Sequence, residues 1–250
     1  MNRKQTQPVA VFAALLIGCV VSHAAYAGAV TSATLPDDGG ENTITDFVAD
    51  STDYTVTNYA TATNTSAAER RYFRSSTDPG SHNAALGDND VTTGVLNTAG
   101  TVFSLNHSAI LAADVFFVTD VNASSGSADT FSFQAVDAGG NVLASSATVS
   151  LTMSAGGVNT LLVFSATLVN SDNTPAGGIT GLNLNASTFT LADFSLNASD
   201  LAAVAGVKLT NTGGVGDPGL VGLAQVVSIP TPAALPAGLM MLGLLVMRRK

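Results

Sequence analysis

Apolar and polar side chains alternate over short runs through residues 28–228, and clusters of Gly, Asn, Asp and Pro separate the runs. In an extended chain successive side chains point to opposite faces, so each run has one apolar and one polar face. Long stretches of helical periodicity are scarce, and the pattern predicts an all-β domain. Strands are expected at 30–35, 54–59, 70–75, 101–105, 114–119, 130–136, 142–151, 159–169, 182–184, 189–191, 206–211 and 222–228. In the run 130–136, Phe131, Phe133 and Ala135 face one way and Thr130, Ser132 and Gln134 the other. Asp137-Ala138-Gly139-Gly140-Asn141 supplies turn chemistry, and 142–151 returns as the second arm of a hairpin. Residues 199–204 read as one short capped helical turn. So many short strands must bury one face of each sheet on another, which predicts a β-sandwich or jelly roll.

Both ends of the chain break the alternation. At the start, Arg3 and Lys4 precede an apolar run over 9–21, and Ala25-Tyr26-Ala27 makes an A-x-A cleavage site before Gly28. That order is a secretory signal peptide, with a mature chain from Gly28. A competing reading takes Leu16-Ile17-Gly18-Cys19 as a bacterial lipobox with a lipid on Cys19. At the other end, Pro230-Thr231-Pro232 leads into an apolar run of fifteen residues, 233–247, broken only by Pro236 and closed by Arg248, Arg249 and Lys250. As a helix the run would span about 22 Å, short against a hydrocarbon core of about 30 Å. Its terminal cations would stay on the cytoplasmic side and leave the domain facing outwards. The prolines hold Thr231 in extended backbone, a form that suits a processing enzyme. The chain thus divides into a signal peptide (1–27), an exported β-sandwich domain (28–228) and a sorting or anchor segment (229–250).

A short proline motif, an apolar helix and a basic terminus, in that order over 229–250, resemble the PEP-CTERM sorting signal, also catalogued as an ice-binding protein C-terminal domain. The family carries Glu where Thr231 stands. The resemblance implies recognition by an exosortase, a membrane-embedded cysteine transpeptidase, in bacteria that make extracellular polysaccharide. The alternative is an uncleaved single-pass anchor. A fainter similarity links 85–94, 208–211 and 221–226 to the loop and closing strands of discoidin-like galactose-binding domains, and implies a jelly roll.

Charge narrows the partners. All eighteen acidic residues lie between Asp37 and Asp217, against four basic ones there, Arg70, Arg71, Arg74 and Lys208, a formal charge of −14. Such a domain repels nucleic acid and anionic lipid; its charge is either a plain solvated surface or an attraction for divalent cations. Asp88, Asn89 and Asp90 offer three side-chain oxygens in a Gly-bounded loop, the ligand type calcium takes, or else a plain turn. Arg71, Tyr72 and Arg74 fall in the basic run 70–74, which would either grip an acidic polysaccharide or pair with neighbouring carboxylates. Cys19 is the single cysteine, so a chain cut before Gly28 has no disulfide and no cysteine-based zinc site. His82 and His107 are the histidines beyond the signal peptide, and neither sits in a catalytic motif; His107 reads as a satisfied loop residue. No catalytic residue is assigned. The sequence is therefore read as a non-enzymatic surface or matrix protein, with a carbohydrate-binding module as the alternative.

Overall fold

The alternating runs become fourteen strands, in a computed structural model that describes residues 28–35, 43–66, 71–74, 78–87, 90–96, 102–108, 110–123, 128–155, 158–210 and 216–227. The signal peptide and the sorting segment lie outside these residues. In chain order the first elements are β1 (Val30–Thr34), β2 (Asp46–Ala49), β3 (Thr52–Tyr59), β4 (Thr61–Asn64), β5 (Tyr72–Arg74), the short helix α1 (His82–Gly87), β6 (Gly94–Val95) and β7 (Val102–Asn106). Then come β8 (Val115–Ala123), β9 (Thr130–Val136), β10 (Val149–Thr152), β11 (Leu162–Val169), β12 (Pro175–Thr190), a 3-10 turn (Leu191–Phe194), α2 (Ala198–Leu201), β13 (Gly206–Thr210) and β14 (Pro218–Val226).

Pairing is antiparallel throughout and makes two sheets, in the orders β1-β2-β3-β14-β8-β12-β11-β5-β6 and β10-β9-β13-β7-β4. The protein is all-β, as expected. Its main core lies between the sheets. Phe116 and Val118 of β8 and Phe189 of β12 meet Phe131, Phe133 and Ala135 of β9 there. Phe116 stacks on Phe189 at 4.9 Å between centroids, and Phe194 from the 3-10 turn packs edge-on to both.

The opposite face of β8 is buried too. Val115, Phe117 and Val121 join Phe47, Tyr54, Leu184 and Ala186 in a second core. That core exists because the larger sheet curls. Ahead of β1, Ala29 bridges to Ser187 and the Thr188 N–H donates to the Gly28 carbonyl at 2.9 Å, so the chain's first described residues come back to β12. The curl begins at the β2–β3 turn, where Asp50 and Ser51 take φ of +48° and +61°. Two consecutive left-handed residues between strands give a turn whose twist matches the strands it joins.

Several expected elements differ. The runs 182–184 and 189–191 are parts of one sixteen-residue strand, β12, and Leu191 belongs to the 3-10 turn that follows. Residues 182–190 are buried on both faces, so Asn183, Asn185 and Ser187 occupy interior positions that alternation cannot flag. The hairpin through 137–141 forms, but only Val149–Thr152 of the return run pairs fully with β9. After a single bridge from Val142 to Val136, the chain leaves the sheet because Asp200 accepts from the Ser145 N–H (2.8 Å) and hydroxyl (2.7 Å). The helical turn is α2; its cap is Asn197, whose side chain accepts from the Asp200 N–H at 2.9 Å. Strands β2 and β4 and helix α1 were not foreshadowed.

Candidate functional site

The most unusual chemistry sits at one end of the space between the sheets. Along β8 the inward positions run Phe116, Val118, Asp120, so an aromatic core ends in a carboxylate. Asp120 is fully buried and lies opposite Asn185 of β12 and Pro218 of β14. Its Oδ1 accepts a long bond from the Asp217 N–H at 3.4 Å, while its Oδ2 has no partner among the described residues. Asp129 stands two residues before Phe131 on the same parity of β9 and is itself 7 % exposed. Burial pushes the Asp120 carboxyl well above the ordinary carboxylate range, and the charges of Asp129 and Asp217 push the same way. Burial also raises Asp129.

Polar neighbours extend this end of the core. Asn183, one pair further along β12, is 4 % exposed, and its Nδ2 has no partner among the described residues. Asn185, turned so that its amide hydrogens face acceptors, donates to the carbonyls of Val158 (2.8 Å) and Asn159 (3.3 Å). Carboxylates and amides are the oxygen chemistry a hard cation takes, but among the described residues no three acidic, histidine or cysteine side chains are close enough to hold one ion. Burial and the neighbouring carboxylates shift Asp120 toward its protonated form. No sequence expectation named Asp120, since the run 114–119 stops one residue short. The legible signal was an acid on the parity of Phe116 and Val118.

The expected sites fall elsewhere. Asp90 does not offer its side chain to the surface. It is 3 % exposed, and its Oδ1 accepts from the Thr92 N–H (2.9 Å) and hydroxyl (2.6 Å), which shapes the turn into β6. Asp88 and Asn89, the other calcium candidates, lie outside the described residues. Of the basic run, Tyr72 is corrected: its ring is 1 % exposed within the main core, so it is no glycan platform. Its hydroxyl lies 3.1 Å from Asp78 Oδ1 and 3.3 Å from Asn173 Oδ1. Arg74 forms an ion pair with Asp78, the carboxylate pairing anticipated as one of two readings. Arg71 stays exposed. Strand β5 buries both faces, with Tyr72 in one core and Phe73 in the other, so no joint grip forms on it.

His107 also differs from expectation. It is 9 % exposed, and neither ring nitrogen has a hydrogen-bond partner among the described residues; the ring stands edge-on to Phe116 at 5.6 Å. Burial pulls its pKa down to about 4, so the imidazole is neutral at pH 7. Among the described residues no hydroxyl or carboxylate is bonded to His107. His82 opens α1, its Nε2 3.1 Å from Asn64 Nδ2.

The cleavage residues Ala25 and Ala27, the motif Pro230-Thr231-Pro232 and the cations Arg248, Arg249 and Lys250 lie outside the described residues. Among the described residues no helix is long and apolar enough to cross a membrane. Compared with known protein families, curated proteins and solved structures, the chain matches none of them significantly.

Proposed function

We propose that this is an exported bacterial surface or extracellular-matrix protein, delivered through its N-terminal signal peptide and sorted by an exosortase-type transpeptidase through its C-terminal segment. The observation that carries the reading is the order of parts at the C-terminus. Pro230-Thr231-Pro232, a fifteen-residue apolar run and three terminal cations follow one another without interruption. An apolar helix of that length, about 22 Å, stalls in a bilayer more readily than it settles there as a permanent span. The cations hold the tail inside while the β domain is outside, which presents 230–232 to a membrane-embedded enzyme. The domain fits the role of delivered cargo: it is built from its own two cores, and its strongly acidic surface keeps it soluble and away from anionic lipid. A jelly-roll sandwich is part of this proposal, and the return of β14 between β3 and β8 is compatible with it.

Trapping tests this. Replacing Pro230 and Pro232 with Ala in the producing cells is expected to leave the protein in the membrane fraction, while the unaltered chain reaches the surface. Equal release of both would sink the sorting reading. A second reading, a carbohydrate-binding module on a permanent anchor, is favoured by one feature only. Arg71 is exposed beside a core strand, in a domain with few basic residues. Loss of binding to the cells' own polysaccharide on Arg71→Ala would support it.

A further inference from the structure

Gly28 is gripped on both sides. Toward β12 its carbonyl accepts from the Thr188 N–H at 2.9 Å and from the hydroxyls of Ser187 and Thr188 at 3.2 Å each. Its own N–H points to Thr188 Oγ1, also at 3.2 Å. On the opposite side stands the carboxylate of Asp50. A Cβ built on Gly28 would fall onto that carboxylate, 2.6 Å from Cγ and 2.9 Å from Oδ1. Since a Cβ lies about 2.5 Å from its own backbone nitrogen, the Gly28 nitrogen is within about 5 Å of the Asp50 carboxylate carbon. Asp50 belongs to the left-handed β2–β3 turn and is exposed. Any side chain at position 28 would have to displace it.

We propose that Thr188 and Asp50 form a binding site for the α-ammonium of the mature chain, created when the leader is cut between Ala27 and Gly28. The proposal rests on the signal-peptide reading. Before the cut the Gly28 nitrogen is an uncharged amide with one hydrogen, which Thr188 already takes. After it, the nitrogen carries a positive charge and three hydrogens, one for Thr188 Oγ1 and another for Asp50. The charge-assisted bond is of the stronger kind. The site sits where the larger sheet curls back onto β12, so processing latches the strands that enclose the second core. Glycine leaves the exposed Asp50 carboxylate in place, whereas a Cβ at position 28 would push it aside.

The test uses the chain with its C-terminal segment intact, to Lys250, in detergent, prepared with its N-terminus at Gly28 or with Ala27 retained, each with and without Asp50→Asn. The Gly28 start is expected to melt about 2–4 °C above the Ala27 start, and Asp50→Asn is expected to erase that difference. Acetylating the Gly28 terminus should have the same effect as retaining Ala27. Equal melting of the two starts, or a difference that persists in Asp50→Asn, overturns the proposal. N-terminal sequencing of the native protein separates the two levels. A start elsewhere removes the signal-peptide reading and this inference with it, whereas a Gly28 start without the Asp50-dependent gain removes this inference alone.

Discussion

Phe133 and Phe189 stack across the gap between the two sheets, with centroids 4.7 Å apart and planes 25° from parallel. Each is fully buried, and Phe189 also stacks on Phe116. Truncating a core phenylalanine removes both buried area and contacts, so Phe189→Ala is expected to cost about 3–5 kcal/mol. Phe189→Leu keeps most of the volume and should lose less. Urea unfolding of the mature chain measures both. A loss for Phe189→Ala below about 1 kcal/mol would mean the sheets do not meet through this ring.

Asp120 and His107 give stability opposite dependences on pH. The folded-state pKa of Asp120 is raised, so its contribution is fully present below the unfolded carboxylate value near 4 and is lost as pH rises towards the folded value. His107 is lowered to about 4, so its contribution is present above about 6.5 and is lost as pH falls through that window. A shift of that size corresponds to about 3 kcal/mol. Above about pH 4 the two dependences run in opposite directions. Asp120→Asn should therefore unmask a rise of stability with pH, and His107→Phe a fall. Melting temperatures across pH 4–8 would show this, and parallel curves for the two variants would contradict it.

Asp90 fastens the turn ahead of β6 through Thr92. Asp90→Ala leaves two buried donors without that acceptor and is expected to cost about 1–3 kcal/mol, whereas Asp90→Asn retains an oxygen and should cost less. If Asp90 instead served a calcium ion, chelator treatment would destabilise the unaltered protein as much as Asp90→Ala does. The inward geometry predicts that it will not.

Alternation located β9 and its inward side chains, although Ser132 and Val136 on its other face are buried as well. Phe131, Phe133 and Ala135 read correctly, and so did the turn after them, where Asp137 accepts from the N–H groups of Gly139 (2.8 Å) and Asn141 (2.9 Å). Alternation failed in β12. Asn183, Asn185 and Ser187 look like solvent positions in the sequence and split β12 into two runs, yet all three are buried between neighbours. Tyr72 failed for the same reason, as a three-residue strand between two cores looks like a surface strand with an aromatic on it. The bond from Ser145 to Asp200 spans fifty-five positions and is a tertiary event without a local signal. Asp120 was within reach, because an acid on the parity of two core residues is visible once the strand is extended past Thr119.

The central claim, export followed by sorting and cleavage at the C-terminus, is tested most directly by the intact mass of the protein taken from its native cell envelope. Export and sorting together give a chain that begins at Gly28 and ends within Pro230-Thr231-Pro232, alone or with an adduct at the new terminus. A chain running from Gly28 to Lys250 would contradict processing and leave a membrane-anchored β domain, and a lipid on Cys19 would contradict the account of the N-terminus.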